Sequence, residues 1–306
     1  PGSFAVYGYR KYFTDKNRNA VLRLSADGIT EISSYGMKDF FRDKFQEIDH
    51  NPFFTGTIVG GFDVHTKTYV VSLQSSNGDD YETLAFDESV KGWVSRYSYK
   101  PDQIFSLKNN FYTTFSGELD GNLSRNGLYK HYFGAEYGKL YKESVPSSIT
   151  TVFNPKVSMS KNFLTIGYEG SNGWEMSDFR SDFTGVDNGI DFNDVTFPVK
   201  SYDEGEFVIN PATGQPVRPA DYQATFGTPY PPYNKMRAGF NRKENKYVSN
   251  LKNNSMPRPG EVVYSQSLSG VKGMFATVIF SIDATTDLLG KKELFAVSST
   301  YVESSY

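Results

Sequence analysis

The sequence predicts a mainly β protein: partial β-propeller-like blades, then a β-sandwich-like unit with long loops, and one short amphipathic helix. Three observations carry this. Aromatic residues make up 16% of the 306 residues, with 22 Tyr and 25 Phe, and rings suit a pleated, half-buried surface. Short apolar stretches alternate with Asp/Asn/Gly turns. Strand–turn–strand units also resemble one another through the first half of the chain, which marks a repeat architecture.

The elements follow in order. Tyr12 and Phe13 lead into a turn at Asp15-Lys16-Asn17-Arg18-Asn19, Val21, Leu22 and Leu24 form the returning strand, and Ala26-Asp27-Gly28 turns it again toward Ile29 and Ile32. From about 34 to 48, Met37, Phe40, Phe41, Phe45 and Ile48 recur at spacings of three and four, the period of an amphipathic helix. Pro52 then disfavours helix in the residue before it. The unit "YFTDKNRNAVLRL" is echoed by "GFDVHTKTYVVSL" and by "TLAFDESVKGWVSRY", each with an Asp closely following an aromatic residue. A further unit, "QIFSLKNNFYTTF", pairs its strands across Lys108-Asn109-Asn110, where Asn tolerates left-handed backbone angles.

A propeller needs at least four blades of about 40–50 residues, and residues 1–145 hold two or three. The ring is therefore open, or completed by upstream sequence or by another chain. Pro1 stands where an initiator Met would and reads as a cut, which makes the chain the C-terminal part of a longer one.

Residues 146–306 form the second predicted unit. Strands are expected in "SSITTVFNP" and "KNFLTIGYEGSNGWEMSDF", extended loops over about 180–260, and a strand buried on both faces at Met274–Phe280.

Composition narrows the functions. There is no Cys, so disulfides, thiol nucleophiles and Cys-ligated metals are excluded. A net charge of −3 with 22% charged residues implies neither a nucleic-acid nor a membrane partner. No run of about eighteen apolar residues is present.

Candidate chemistry is sparse. His50, His65 and His131 are far apart and lack any paired-ligand spacing. The carboxylates Asp79-Asp80, Asp87-Glu88, Asp187/Asp191/Asp194 and Asp203-Glu204 include pairs of the kind a glycosidase uses, but such residues also form solvated turns. "DNGIDFND" lacks the closing Glu of a calcium loop. Neither phosphate-binding glycine motifs nor G-x-S-x-G occur. No catalytic, metal or cofactor site is predicted.

One positive signal remains, a Pro-rich, charge-poor stretch from Asn210 to Tyr233 with Tyr222, Phe226, Tyr230 and Tyr233, followed by Arg237 and Arg242. Tyr and Arg are enriched at protein interfaces, so these six residues are the candidate interface.

The series "FDVHTKTYVVSL", "TLAFDESVKGWVSRYSYKPDQIFSLKNNFYTTFSGEL", "LYKHYF", "ITTVFNP", "IGYEGSNGWE" and "ELFAVSSTYVESSY" resembles virion structural proteins of tailed bacteriophages. Among these are tail or neck proteins of marine T4-like cyanophages and the muzzle protein of crAss-like phages. The resemblance spans most of Gly61 to Tyr306, with Ala85 where the pattern carries Ser before Phe86-Asp87, and with an insertion around Asp120-Gly121-Asn122. It implies a non-enzymatic role in a symmetric ring or sleeve of the tail, neck or baseplate. The implied partners are identical copies and other tail proteins, assembled in the host cytoplasm. It offers no catalytic residues. The alternative is a receptor- or glycan-binding adhesin, and weaker still a propeller glycosidase; no residue pattern indicates a host receptor.

Overall fold

The computed structural model describes residues 2–48, 56–75, 80–119, 123–124, 126–134, 137–187, 190–196, 198–202, 204–214, 216–217, 219–227, 236–237, 239–254, 268–282 and 290–304. The protein is mainly β, as its sequence predicts. It divides into two units, Pro1–Ala135 with Leu140–Glu143, and Glu136–Lys139 with Ser144–Tyr306.

The first unit is a stack of antiparallel meanders. β1 (Ala5–Tyr7), β2 (Arg10–Asp15), β3 (Ala20–Ser25) and β4 (Gly28–Glu31) pair in sequence order. α1 (Lys38–Glu47) follows, and then β5 (Thr57–Asp63), β6 (Thr68–Gln74), β7 (Tyr81–Asp87) and β8 (Gly92–Tyr97) make a second four-stranded sheet, also in sequence order. The third sheet has β9 (Gln103–Leu107), β10 (Asn110–Phe115) and β13 (Gly127–Lys130) in the order β13-β10-β9, while β11 (Glu118–Leu119) and β12 (Leu123–Ser124) form a ribbon.

The middle sheet is covered on both faces, and the period-two geometry of a strand sorts its residues. Tyr69, Val71, Leu73, Leu84 and Phe86 pack with Tyr12, Val21, Ile32, Phe41 and Phe45 of the first sheet and α1. Val59, Val70 and Ala85 point the other way, against Ile104 and Phe111. Every residue of β6 is consequently buried. Polar groups on the second face of the sheet are satisfied: Gln74 Nε2 of β6 donates to Pro101 O at 2.6 Å, and Thr83 Oγ1 of β7 donates to Tyr99 O at 2.7 Å. Two glycines let the neighbours approach β5. A Cβ on Gly60 would press on Ser3 O and the Tyr69 hydroxyl, and one on Gly61 would press on the Ile104 side chain and carbonyl.

The aspartates of the repeated units have a structural explanation. Asp15 accepts from Arg18 N, Asp63 from His65 N at 2.8 Å, and Asp87 from Ser89 N at 2.6 Å. Each holds the turn after its strand through its own side chain. At the β9–β10 turn, Lys108 and Asn109 both have positive φ, 49° and 60°, with Leu107 opposite Asn110. That is the two-residue hairpin geometry whose twist matches the strands.

The predicted helix is present but starts later, at Lys38 rather than about residue 34. Gly36 has φ 75°, outside the helical region, so residues 33–36 form turns instead. Phe41 and Phe45, one turn apart, are its fully buried residues. Pro52 and His50 lie outside the described residues, as do Asp120, Gly121 and Asn122 of the insertion.

β14 (Lys139–Leu140) and β15 (Glu143–Ser144) form a short ribbon at the boundary between the units. In the second unit follow β16 (Ser147–Phe153), β17 (Lys161–Gly170), β18 (Glu175–Asp187), β19 (Ile190–Val195), β20 (Glu206–Ile209), β21 (Pro216–Val217), α2 (Pro219–Phe226), β22 (Met236–Arg237), β23 (Asn241–Lys243), β24 (Lys246–Asn250), β25 (Lys252–Asn253), β26 (Leu268–Ser269), β27 (Val271–Gly273), β28 (Ala276–Ile282) and β29 (Leu294–Glu303). One sheet runs β16-β28-β18-β19. The other runs β23-β24-β17-β27, with β29 also on β17. Their inner faces meet in one core, in which Phe163, Ile166, Tyr168 and Tyr247 face Met176, Phe179, Val278 and Phe280.

Two expectations are corrected here. β28 is buried on one face only: Ala276, Val278, Phe280 and Ile282 are buried, the residues between them half-exposed, and Phe275 is exposed. It pairs β16 and β18 on its two edges, and among the described residues only one side of that sheet has an opposing layer. Within residues 180–260, read as extended loops, the structure places strands β19 to β25 and a second helix, α2. Pro219 opens α2 and Gly227, at φ 65°, follows its end, the usual Pro-first, Gly-last asymmetry.

Candidate functional site

The six predicted interface residues fall into three groups. Tyr222 is half-buried on α2, and Phe226 is the last residue of that helix. α2 packs on β20, and β20 also pairs with β22 through Glu206 and Arg237, so Tyr222, Phe226 and Arg237 are carried by adjoining elements. Arg242 sits elsewhere, exposed on the β23–β24 hairpin with its guanidinium 5.8 Å from the Tyr247 ring and its Nε donating to Glu244 O. Tyr230 and Tyr233 lie outside the described residues.

Among the described residues the candidate catalytic groups do not assemble into a reactive set; His50, Asp79 and Asp203 lie outside them. His65 stacks on Tyr132 with ring centroids 4.2 Å apart. His131 lies among Tyr99, Phe111, Tyr132 and Tyr141, with Thr113 Oγ1 2.7 Å from Nε2. Burial is the main cause that pulls its pKa down to about 4, against the opposing pull of Asp63. Asp63 is fully buried and accepts from the Tyr132 hydroxyl at 2.6 Å and from Thr66 Oγ1 at 2.9 Å. Asp80 takes an ion pair from Lys44, and Glu204 accepts from Ser201 Oγ. Among the described residues no group of three His, Cys, Asp or Glu is arranged to hold a metal ion.

One concave surface was not foreseen. It lies in the first unit where the β1–β2, β5–β6 and β7–β8 turns come together, lined by Tyr7, Arg10, Phe62, Lys67, Asp87 and Glu88 among others. Tyr7 stacks flat on Phe62 at 4.0 Å and 9°. Phe62 in turn faces Tyr12, and Tyr12 stacks on Tyr69 at 4.9 Å. At the floor, Glu88 Oε1 accepts from the Tyr12 hydroxyl at 2.9 Å and Oε2 from Arg23 Nη1 at 2.8 Å. The Arg23–Glu88 pair is mostly shielded from solvent, where such a pair demands good geometry to offset desolvation. Burial first, then the hydrogen bond to Glu88, pushes the Tyr12 phenol far above its ordinary value. Asp87, the other member of the predicted acidic pair, is held below the usual carboxylate range by its hydrogen bonds to Ser89. Both carboxylates are thus engaged as hydrogen-bond acceptors.

Comparison with known families finds a match over part of the second unit. Residues 135–254 match the Crassvirus muzzle protein C-terminal domain. The matched segment begins at the boundary between the units and runs through β25, so it includes β16, β17 and β18 and the α2–β20 region, and it stops short of β27, β28 and β29. The match covers less than half of the chain. Over that span the chain resembles a phage virion structural protein of the muzzle type. None of the curated proteins compared matches the chain. Of the predicted interface residues, all six lie inside the Crassvirus muzzle match.

Proposed function

We propose that the protein is a non-enzymatic structural component of a tailed-phage virion, built as identical copies into a ring or sleeve of the tail, neck or baseplate. The match of residues 135–254 to the Crassvirus muzzle protein C-terminal domain carries this reading. The physical character of the chain supports it. Three stacked sheets and a sandwich bury many rings, each fully buried large apolar side chain contributing about 1.5–3 kcal/mol, which suits a rigid block. The stacked sheets resemble propeller blades, and a closed ring of blades would need sheets beyond the three described here. Cyclic assembly repeats one heterologous contact between neighbours, and Tyr222, Phe226, Tyr230, Tyr233, Arg237 and Arg242 are the surface we assign to that contact. Identical copies and other tail proteins are the partners; nucleic acid and membrane are not.

A glycosidase is disfavoured by Glu88, which is fixed in place as an acceptor by Tyr12 and Arg23, one on each oxygen. The test is peptide mapping of purified virions together with mass photometry of the purified chain. Peptides from this chain in particles, and a discrete high-mass oligomer in solution, are the expected result. A chain that is missing from particles and monomeric at micromolar concentration would overturn the proposal.

A further inference from the structure

We infer that the cleft between the β1–β2, β5–β6 and β7–β8 turns binds an acidic saccharide of the uronate type, an activity separate from assembly. Four observations lead there. Tyr7 has one ring face covered by Phe62 at 4.0 Å, yet remains 39% exposed, so its other face and edge open to the cleft. A ring clamped from behind is a preorganised platform for the C–H face of a sugar, since little freedom is lost on binding.

The floor supplies directional polar groups. Glu88 accepts one hydrogen bond on each oxygen, and a carboxylate has acceptor capacity beyond that, which sugar hydroxyls can use. Tyr12 and Arg23 fix its orientation from below.

The rim supplies positive charge. Arg10 and Lys67 line the cleft and have no acidic partner among the described residues. Some exposed cations elsewhere are paired, as in Arg42 with Asp39 and Asp43, or Lys246 with Glu169. Lys67, Lys91 and Lys108 occupy left-handed positions in the β5–β6, β7–β8 and β9–β10 turns, at φ 58°, 51° and 49°. The β9–β10 turn adjoins the β5–β6 turn, for Ser106 Oγ donates to Phe62 O at 2.6 Å. That end of the stack therefore carries several cations, of which Arg10 and Lys67 line the cleft.

The class of polyanion follows from the acids within. Asp87 and Glu88 would repel a phosphodiester backbone brought against them, whereas they hydrogen-bond the hydroxyls of a sugar whose carboxylates reach outward to Arg10 and Lys67. An acidic saccharide fits both halves of the site, and a nucleic acid fits only the rim.

Isothermal titration of the full chain with hexagalacturonate tests this, with maltohexaose and a dT hexamer as competing classes. The expected result is binding of hexagalacturonate alone, weakened at least tenfold by Tyr7→Ala and made less salt-sensitive by Arg10→Ala with Lys67→Asn. Phe133→Ala, an exposed ring away from the cleft, should leave it unchanged. Arg10 is on the surface, so its variant keeps the test alive if Tyr7→Ala folds poorly. No binding by the wild type, equal binding of maltohexaose, preference for the dT hexamer, or binding indifferent to the cleft variants would each overturn the inference.

Discussion

The stacked unit and the sandwich unit are both β, yet they are wired in opposite ways. In the first, β1 to β4 and β5 to β8 each pair with the next strand in sequence, and turns of two to a few residues close every ladder. In the second, β16 pairs β28, with Ser147 opposite Ile282, and β17 pairs β29, with Lys161 opposite Glu303. Local ladders cost little loop-closure entropy and form early, while long-range ladders must close large loops before any contact rewards them. Similar secondary structure therefore conceals one unit that is held by neighbours and another that is held by its two ends.

Core deletion should break that comparison most strongly. Phe280 is fully buried between Tyr168 and Phe240 on the central strand β28. Phe280→Ala should cost about 3–5 kcal/mol. Because β28 ties β16 to β18, amide exchange should accelerate together across β16, β17, β18 and β29, and the first unit should keep its protection. Exchange confined to β28 itself would argue against a cooperatively closed sandwich. In the stacked unit the sharper probe is overpacking. Gly61→Val would push a side chain into Ile104 and its carbonyl, and it should cost about 2–3 kcal/mol, read as a lower urea midpoint. Little change there would mean that β5 and β9 are less tightly apposed than described.

The same difference explains what could be read from the sequence. Turn chemistry is local, so the Asp15–Asn19 turn, the Lys108-Asn109 hairpin and the Phe41/Phe45 face of α1 were all legible. The pairing of β16 with β28 was not, since nothing in "SSITTVF" names a partner some 130 residues away. Met274–Phe280 misled because an apolar run does not tell how many faces are covered. α2 carried its own signal, Pro219 first and Gly227 after, obscured by the prolines around it. The cleft was illegible for a further reason. Tyr7, Arg23, Phe62 and Glu88 are each unremarkable in sequence, and only the stacking of two meanders brings them together.

An acid test separates the units by charge. His131 belongs to the first unit, and its folded pKa of about 4 lies below the ordinary value of 6.5. Between those values the unfolded chain takes up a proton that the folded chain refuses, so the stability present above pH 6.5 is lost as pH falls toward 4. The residue is half-buried, and after allowing for solvent screening the loss is on the order of 1–2 kcal/mol. Urea midpoints at pH 7 and pH 5 should therefore diverge for the first unit, and His131→Gln, which can still hydrogen-bond Thr113, should bring them closer. An unchanged pH dependence in that variant would remove His131 as its source.

The smallest expected effect lies at one turn. Asn109 holds φ 60° between β9 and β10, a region that Asn tolerates and Gly enters without steric cost. Asn109→Gly relieves whatever strain remains in the folded hairpin but gives the unfolded chain more freedom, and these two effects oppose each other. The change in stability should thus stay within about 0.5 kcal/mol. Asn109→Val is different, because a β-branched side chain at positive φ clashes with its own backbone; it should lower the urea midpoint clearly while leaving the sandwich amides protected. If Val were tolerated as well as Gly, the left-handed turn would not be what sets the β9–β10 register, and the stacked unit would owe its alignment to the Ile104 and Phe111 contacts instead.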